Sequence, residues 1–386
     1  MSTFSTIRRL RGIFTGDSHK AATKTIDLKI TKPTNITSSN HTVQDIVNLM
    51  KESSKCPKFR REGRGYYELA IHRLARAKHF SGIEEIIEHQ KHYPDIRHEP
   101  FVRLLILLYG KARMFDHARK LFDEMPQLNC QRSVFTFNAL LESCIRSERY
   151  DEIGELFREL PAKLEIEPNV VSYNLAIKAL CKAGSLDSAL LLMDVIEKHG
   201  IKPNIVTCNT LLNALYGSQR FAEAENLWIV MENRNIVPDL CSYNIRLRGL
   251  IKVHEVSKAI QFFEEIINKG FKPDKFSYNT MITMCVDEGN LEEAKMWYQK
   301  MVQNGCLPVD ATFHMLIPLA CDAKKFEFAL HLCKKAIESQ VLVYREIMQR
   351  VIDGLFEHSE IENAKELVKL AKSCNFHYEL WLPLHS

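Results

Sequence analysis

From residue 64 onward the apolar positions of this chain recur with a period of 35 residues. Units begin at Arg64, Glu99, Val134, Val170, Ile205, Leu240, Lys275, Asp310 and Arg345, with a single step of 36 after Val134. Within each unit, apolar residues favour places eight, eleven, seventeen, twenty and twenty-four. The eighth residues include Leu141, Ile177, Leu212, Leu247 and Ile282; the seventeenth include Phe115, Leu186, Phe221, Leu291 and Phe326. Such spacing puts one apolar face on each of two helices. The break falls between the fourteenth and sixteenth residues, where turn formers collect, as in Lys182–Ser185 (KAGS) and Glu288–Asn290 (EGN). The twentieth column reads Ile83, Ala118, Ile153, Ala189, Ala224, Ala259, Ala294, Ala329 and Ala364. Alanine there marks a place where two helices approach too closely for a larger side chain. Pro168, Pro203, Pro238, Pro273 and Pro308 each stand next to the end of a unit, where proline stops a helix from continuing.

One helix pair cannot bury its own apolar faces, so pairs of this kind stack. The pattern predicts an all-α solenoid of stacked helix–turn–helix repeats, nine of them over residues 64–379 (64–98, 99–133, 134–169, 170–204, 205–239, 240–274, 275–309, 310–344 and 345–379). Residues 41–63 supply a capping helix at the front, read in Val43–Glu52 (VQDIVNLMKE). The ninth unit and the tail 380–386 close the back.

Composition is that of an ordinary folded chain, 46% hydrophobic and 26% charged, with no apolar run of membrane-spanning length. The net charge of +4 is unevenly placed. Residues 1–63 carry twelve Lys and Arg against five Asp and Glu, so everything after residue 63 sums to −3. An argument for nucleic-acid binding therefore needs a local basic strip. The 11 cysteines fall singly, without the C-x-x-C spacing of a zinc or redox site, and several occupy apolar helix positions. They read as reduced core residues.

The first segment changes the picture of destination. Phe4, Ile7, Leu10 and Phe14 recur at helical spacing beside Arg8, Arg9 and Arg11, and the first acidic residue is Asp17. Residues 1–40 thus read as a mitochondrial targeting peptide with a disordered linker, bound for the matrix. A chloroplast transit peptide is the alternative, and a tail with accidental bias is the bland one.

The units resemble the pentatricopeptide repeat, visible in VVSYNLAIKALCKAGSLDSALLLMDVIEKHGIKPN (Val170–Asn204), LCSYNIRLRGL (Leu240–Leu250) and KFSYNTMITMC (Lys275–Cys285). The rival tetratricopeptide repeat has a period of about 34 and wants Trp and Gly early in its first helix. The chain is similar to the pure (P-type) subfamily, among short plant mitochondrial members that include mitochondrial-ribosome components. The resemblance implies a right-handed superhelix and single-stranded RNA as ligand, at about one repeat per base.

It also implies which residues touch RNA. Base reading falls to the fifth and last residues of a unit. Here these pair as Asn138 with Asn169, Asn174 with Asn204, Asn209 with Asp239 and Asn244 with Asp274; Asn279 faces Val309. A carboxylate accepts the uracil N3 proton but cannot donate, whereas an amide does either. The Asp pairs should prefer uracil and the Asn pairs lean to cytosine. The bland reading of the Asn column is helix capping or a solvated first turn. Phe135, Val171, Val206, Cys241 and Phe276, the second residues, would sandwich bases or else pack between repeats. The thirteenth residues Arg76, Lys111, Arg146, Lys182 and Lys252 would contact phosphate, unless they are only solvated charges. Asp287, Asp322 and Glu357 continue that column with opposite sign, so RNA is expected along the front two-thirds.

No catalytic constellation emerges. His358-Ser359-Glu360 matches the H-x-E of zinc deaminases but lacks their P-C-x-x-C. His89, His92 and His98 have no acidic or Cys partners at ligand spacing. The expectation is a non-catalytic protein without metal, cofactor or small-molecule substrate. Its partner would be mitochondrial mRNA or rRNA in RNA processing, stability or translation. Mitochondrial ribosomal proteins are further partners if the chain is a ribosomal component; a protein-binding helical scaffold is the remaining alternative.

Overall fold

A computed structural model describes residues 42–373 and Leu380. The leader read in residues 1–40 lies outside the described residues, as do the end of the ninth unit and the tail apart from Leu380. The described residues are α-helical with one 3₁₀ turn (Pro94–Arg97) and no strand.

At the front, α1 (Val43–Ser54) and α2 (Pro57–Glu62) stand where the pattern suggests one helix. Thr42 and Asp45 form a reciprocal capping box on α1, and Pro57 opens α2 in the first turn, where its missing N–H costs nothing. Then come helix pairs α3 (Arg64–Arg76) and α4 (Phe80–Gln90), α5 (Glu99–Lys111) and α6 (Phe115–Glu124), α7 (Val134–Arg146) and α8 (Asp151–Leu164). They continue with α9 (Val170–Lys182) and α10 (Leu186–Lys198), α11 (Ile205–Gly217) and α12 (Phe221–Asn233), α13 (Leu240–Lys252) and α14 (Val256–Asn268). The last are α15 (Lys275–Asp287) and α16 (Leu291–Gln303), α17 (Asp310–Asp322) and α18 (Phe326–Glu338), α19 (Arg345–Glu357) and α20 (Ile361–Ser373). The first helix of every pair starts on a residue where the 35-residue period starts a unit. The extra residue of the third unit goes into α8, the one helix of 14 residues, which closes on Glu165 in the left-handed region at φ 53°.

Two compact units divide the chain, residues 1–214 and 215–386. In the first, α5 packs on α7 and α7 on α9; in the second, α13 packs on α15, α15 on α17 and α17 on α19. Both follow one recipe. The eighth-place residues Leu141, Ile177, Leu212, Leu247 and Ile282 are fully buried, as is every alanine of the twentieth column. Burying one such Leu or Ile is worth about 1.5–3 kcal/mol, so each pair is held chiefly by its neighbours. Phe157 sits edge-on to Tyr173 at 5.0 Å in the first unit, and Phe263 edge-on to Trp297 at 4.8 Å in the second. Close approach is enforced at Gly110, where an added Cβ would lie 2.6 Å from the Ser143 backbone. The Ser143 hydroxyl uses that proximity to donate to the Ile106 carbonyl at 2.9 Å.

Candidate nucleic-acid interface

Residues five, nine and thirteen of a unit lie four apart on its first helix and so share a face. In α9 these are Asn174, Lys178 and Lys182; in α13 they are Asn244, Arg248 and Lys252. The second residue opens the same helix beside that face.

Capping determines how the fifth and last residues meet. Asn169 is the N-cap of α9: its Oδ1 accepts from the N–H groups of Val171 at 3.0 Å and Ser172 at 3.1 Å. Ser172 answers by accepting the Asn169 N–H at 3.1 Å, which completes a capping box. The same Asn169 Oδ1 accepts from Nδ2 of Asn138 at 3.3 Å, and the Ser172 hydroxyl donates to Asn138 Oδ1 at 2.6 Å. Three side chains from two successive repeats thus lock one another. The backbone donors settle the amide orientation, since only oxygen can face them.

The lock recurs. Asn174 donates to Asn204 Oδ1 at 3.2 Å, and Thr207 donates to Asn174 Oδ1 at 2.6 Å. In the second unit Asn244 donates to Asp274 Oδ1 at 3.1 Å and accepts from Ser277 at 2.7 Å. Asp274 Oδ1 also caps α15 by accepting from Phe276 and Ser277 N–H, both at 3.0 Å. Asp239 caps α13 through Ser242 N–H at 2.8 Å; its sequence partner Asn209 lies in the first unit. At the next junction Val309 offers no side-chain cap, and the Asn279 side chain is held among the described residues by the Thr312 hydroxyl at 2.7 Å. Capping, raised as the bland explanation of the fifth-place asparagines, is the work of the last residues instead.

The third-place hydroxyls form a column of their own, Thr136, Ser172, Thr207, Ser242, Ser277 and Thr312, all fully buried, and of these Ser172, Thr207, Ser277 and Thr312 donate to the asparagine of the preceding repeat. Sequence reasoning passed over them, although Ser or Thr at the third place of six consecutive units was a plain signal.

Lock geometry leaves specific atoms for a ligand. Each paired asparagine amide has a second Nδ2 hydrogen. Beyond it, Asn169 and Asn204 present amide donors, while Asp274 presents Oδ2, an acceptor with no hydrogen bond among the described residues. Beside these atoms the sandwich candidates stand in the open. Phe135 is 55% exposed, Phe276 61%, Val171 49% and Val206 53%, and Cys241 is exposed too. Packing between repeats does not bury them.

The thirteenth-place cations are all exposed, but they are not equivalent. Lys111 reaches Glu68 at 3.0 Å and Arg146 reaches Glu142 at 2.9 Å, so both carry a carboxylate partner. Arg76, Lys182 and Lys252 have no ion pair among the described residues. Asp322, at the acidic end of the column, is paired with Arg350. Lys178, four residues before Lys182, was not singled out by sequence; it reaches Glu142 at 3.2 Å.

In the first repeat Glu68, in the fifth place, accepts from Arg64 at 2.9 Å as well as from Lys111. These bonds, Arg64 first, hold the Glu68 carboxyl below the ordinary carboxylate range. In the eighth unit His314 and Tyr344 fill the fifth and last places as a parallel stack, 4.1 Å between ring centres. The H-x-E residues have structural partners, His358 Nδ1 with the Gly354 carbonyl at 2.9 Å and Glu360 with Asn363 at 2.8 Å. His89 and His92 pack ring to ring at 5.8 Å. Among the described residues no group of three or more His, Cys, Asp and Glu is placed to hold a metal ion, and no helix is long and apolar enough to cross a membrane.

Stacked helix pairs whose junctions carry Asn–Asx–Ser/Thr locks define a helical-repeat class, and family models specify which. The PPR repeat family matches residues 168–217, 203–252, 238–287 and 275–322. The pentatricopeptide repeat domain matches 120–183, and a PPR repeat matches 103–130. Together they run without a gap over more than half of the chain, which belongs to the pentatricopeptide repeat family. The small ribosomal subunit protein mS79 of Arabidopsis thaliana is 50% identical over 134 residues, 35% of this chain and 34% of that protein. A pentatricopeptide repeat-containing protein of the same plant, named as mitochondrial, is 42% identical over 134 residues, 34% of this chain and 32% of its own. The chain thus matches about a third of the length of these relatives. Among solved structures, the maize protein PPR10 aligns with 87% of this chain and 59% of its own, at 17% identity and a TM-score of 0.48.

Proposed function

We propose that this chain binds single-stranded RNA, without catalysing a reaction on it, and that it prefers pyrimidines. The observation carrying the reading is what the locks leave over. Asn244 and Asp274 together offer one donor and one acceptor, the complement of a uracil carbonyl and its N3–H. Asn138 with Asn169, and Asn174 with Asn204, offer donors on both sides, which suits the N3 and O2 acceptors of cytosine. Asn209 with Asp239 has the composition of a uracil reader. Exposed apolar residues beside each pair give the base faces something to stack on, and Arg76, Lys182 and Lys252 supply unpaired charge for phosphate. The remaining candidates, Lys111 and Arg146, would reach phosphate only by leaving their carboxylates.

The test is equilibrium competition, by fluorescence anisotropy, between single strands that differ at one base. Mixed U/C strands should bind more tightly than purine strands or duplex. Equal binding of all four homopolymers would overturn the pyrimidine reading, and no binding at all would overturn the RNA reading.

The place of action we propose is the mitochondrion, on mitochondrial mRNA or rRNA. Likeness to a protein named as a small ribosomal subunit component favours a fixed position on an RNA assembly over a free processing factor. Sedimentation of a mitochondrial lysate separates the two: a ribosomal component travels with a ribosomal subunit in moderate salt, and a free factor stays near the top.

A further inference from the structure

We infer that Arg103 and the ring of Phe135 form a guanine-selective site in the second repeat, next to the place served by Asn138 and Asn169; this rests on the RNA reading above. Arg103 stands in the fifth place of its unit, where the following five units carry asparagine. Arg103 is half-buried at the wall of a groove of about 1160 Å³, lined also by Arg61, Arg64, Phe101, Leu104, Phe135 and Asn138. The carboxylates of that groove are already taken. Asp95 is held by Arg60 at 2.6 Å, and Glu142 by Arg146 and Lys178. Arg103 makes no ion pair among the described residues, and its guanidinium lies over the Phe135 ring, 5.9 Å from its centre. Five N–H donors are thus left over an apolar floor.

The last residue of this unit cannot share the reading. The Ser133 hydroxyl caps α7 through the Phe135 N–H at 3.0 Å and is bonded to Glu99. Arg103 therefore acts alone, and a planar fork acting alone selects a ligand with two adjacent acceptors. Guanine presents O6 and N7 in that geometry and cytosine O2 and N3, but the single cytosine ring covers less of Phe135 than a purine does; adenine sets a donor beside N7, and uracil sets N3–H between its carbonyls. An inorganic phosphate would satisfy the fork but leave the apolar floor and the exposed Phe135 face uncovered. A purine stacked on Phe135 satisfies both.

The experiment uses the whole protein and pyrimidine strands that keep bases for the asparagine repeats. The nucleotide adjoining that run is varied on each side in turn. Guanine on one side should improve binding about tenfold over adenine or uracil. Replacing it by 7-deazaguanine, which lacks only the N7 acceptor, should abolish most of the gain. Arg103→Lys keeps the charge and loses the fork; it should erase the guanine preference while leaving affinity for all-pyrimidine strands within about twofold. Cytosine preferred at this place, or a guanine gain that survives 7-deaza substitution or Arg103→Lys, would overturn the inference. If pyrimidine strands bind but no adjoining base matters, the guanine site fails and the RNA reading stands; if no strand binds, both fail.

Discussion

Asn244 and Asp274, thirty residues apart, are joined by an Nδ2–H···Oδ1 hydrogen bond of 3.1 Å, and the same Oδ1 caps the helix that begins one residue later. Side chains that face the ligand in the proposed reading are therefore also structural members of the junction between repeats.

Asp274→Asn should change reading without changing the fold. Asn and Asp cap helices about equally well, and the amide oxygen can take over every bond Oδ1 makes. What changes is the outward atom, from acceptor to donor. Competition with single-base variants should show preference at this place moving from uracil to cytosine, while the urea midpoint stays put. Asp274→Ala, by contrast, should cost about 1 kcal/mol or somewhat more in urea unfolding, because the cap and the anchor of Asn244 are lost together.

Val309→Asp is expected to repair a defective junction. Val309 precedes α17 without a side-chain cap, and Asn279 there lacks the partner its equivalents have. A carboxylate should add about 1 kcal/mol of stability by capping Asp310–Asp322. It should also create uracil preference at this place. A fall in the urea midpoint would show that the capping geometry is not available there.

Salt dependence should report the unpaired cations. Three phosphate contacts from Arg76, Lys182 and Lys252 give a log–log slope of roughly −2, at about 0.7 per contact. Lys182→Ala should flatten it by about 0.7 for every sequence tested. Lys111→Ala should change it less, since Lys111 is already neutralised by Glu68 at 3.0 Å. Equal effects would mean that the Lys111–Glu68 pair opens when RNA binds.

Thiol labelling should map the interface independently. Burial pushes the Cys144 and Cys285 thiols up to about 12, so neither offers thiolate near neutral pH. Cys241 is exposed, in the second place of its unit. Its thiol is also raised, by partial burial first, yet it should alkylate well ahead of Cys144 and Cys285 by peptide mapping. A bound pyrimidine strand should protect it. Labelling unaffected by RNA would remove Cys241 from the proposed base-sandwiching set.

The helices were legible because their signals are repeated. An alanine column and proline stops, recurring every 35 residues, set the start of each first helix to the residue. The second front helix, Pro57–Glu62, was not legible, because six residues carry too little periodicity. The candidate interface was legible in kind but not in connection. Sequence offered capping and base reading as rival explanations of asparagine; in space they divide between two residues joined by a hydrogen bond, with Ser172 or its equivalents closing the triangle. Nor could a formal charge column reveal that Glu68 and Glu142 neutralise two of its five members, since those partners come from other places in the unit.

Dual use of the last residue limits the alphabet in which such an array can be rewritten. Where the last residue caps the next helix it is Ser133, Asn169, Asn204, Asp239 or Asp274, whereas His98, Val309 and Tyr344 make no side-chain cap. Exchange between Asn and Asp there would change the proposed reading at almost constant stability, whereas Val309 leaves the next helix without a side-chain cap. If the proposed reading holds, mutational drift is channelled: a repeat would trade one pyrimidine for the other in a single conservative step, whereas the second repeat, with Arg103 in the fifth place, has no asparagine to form the lock.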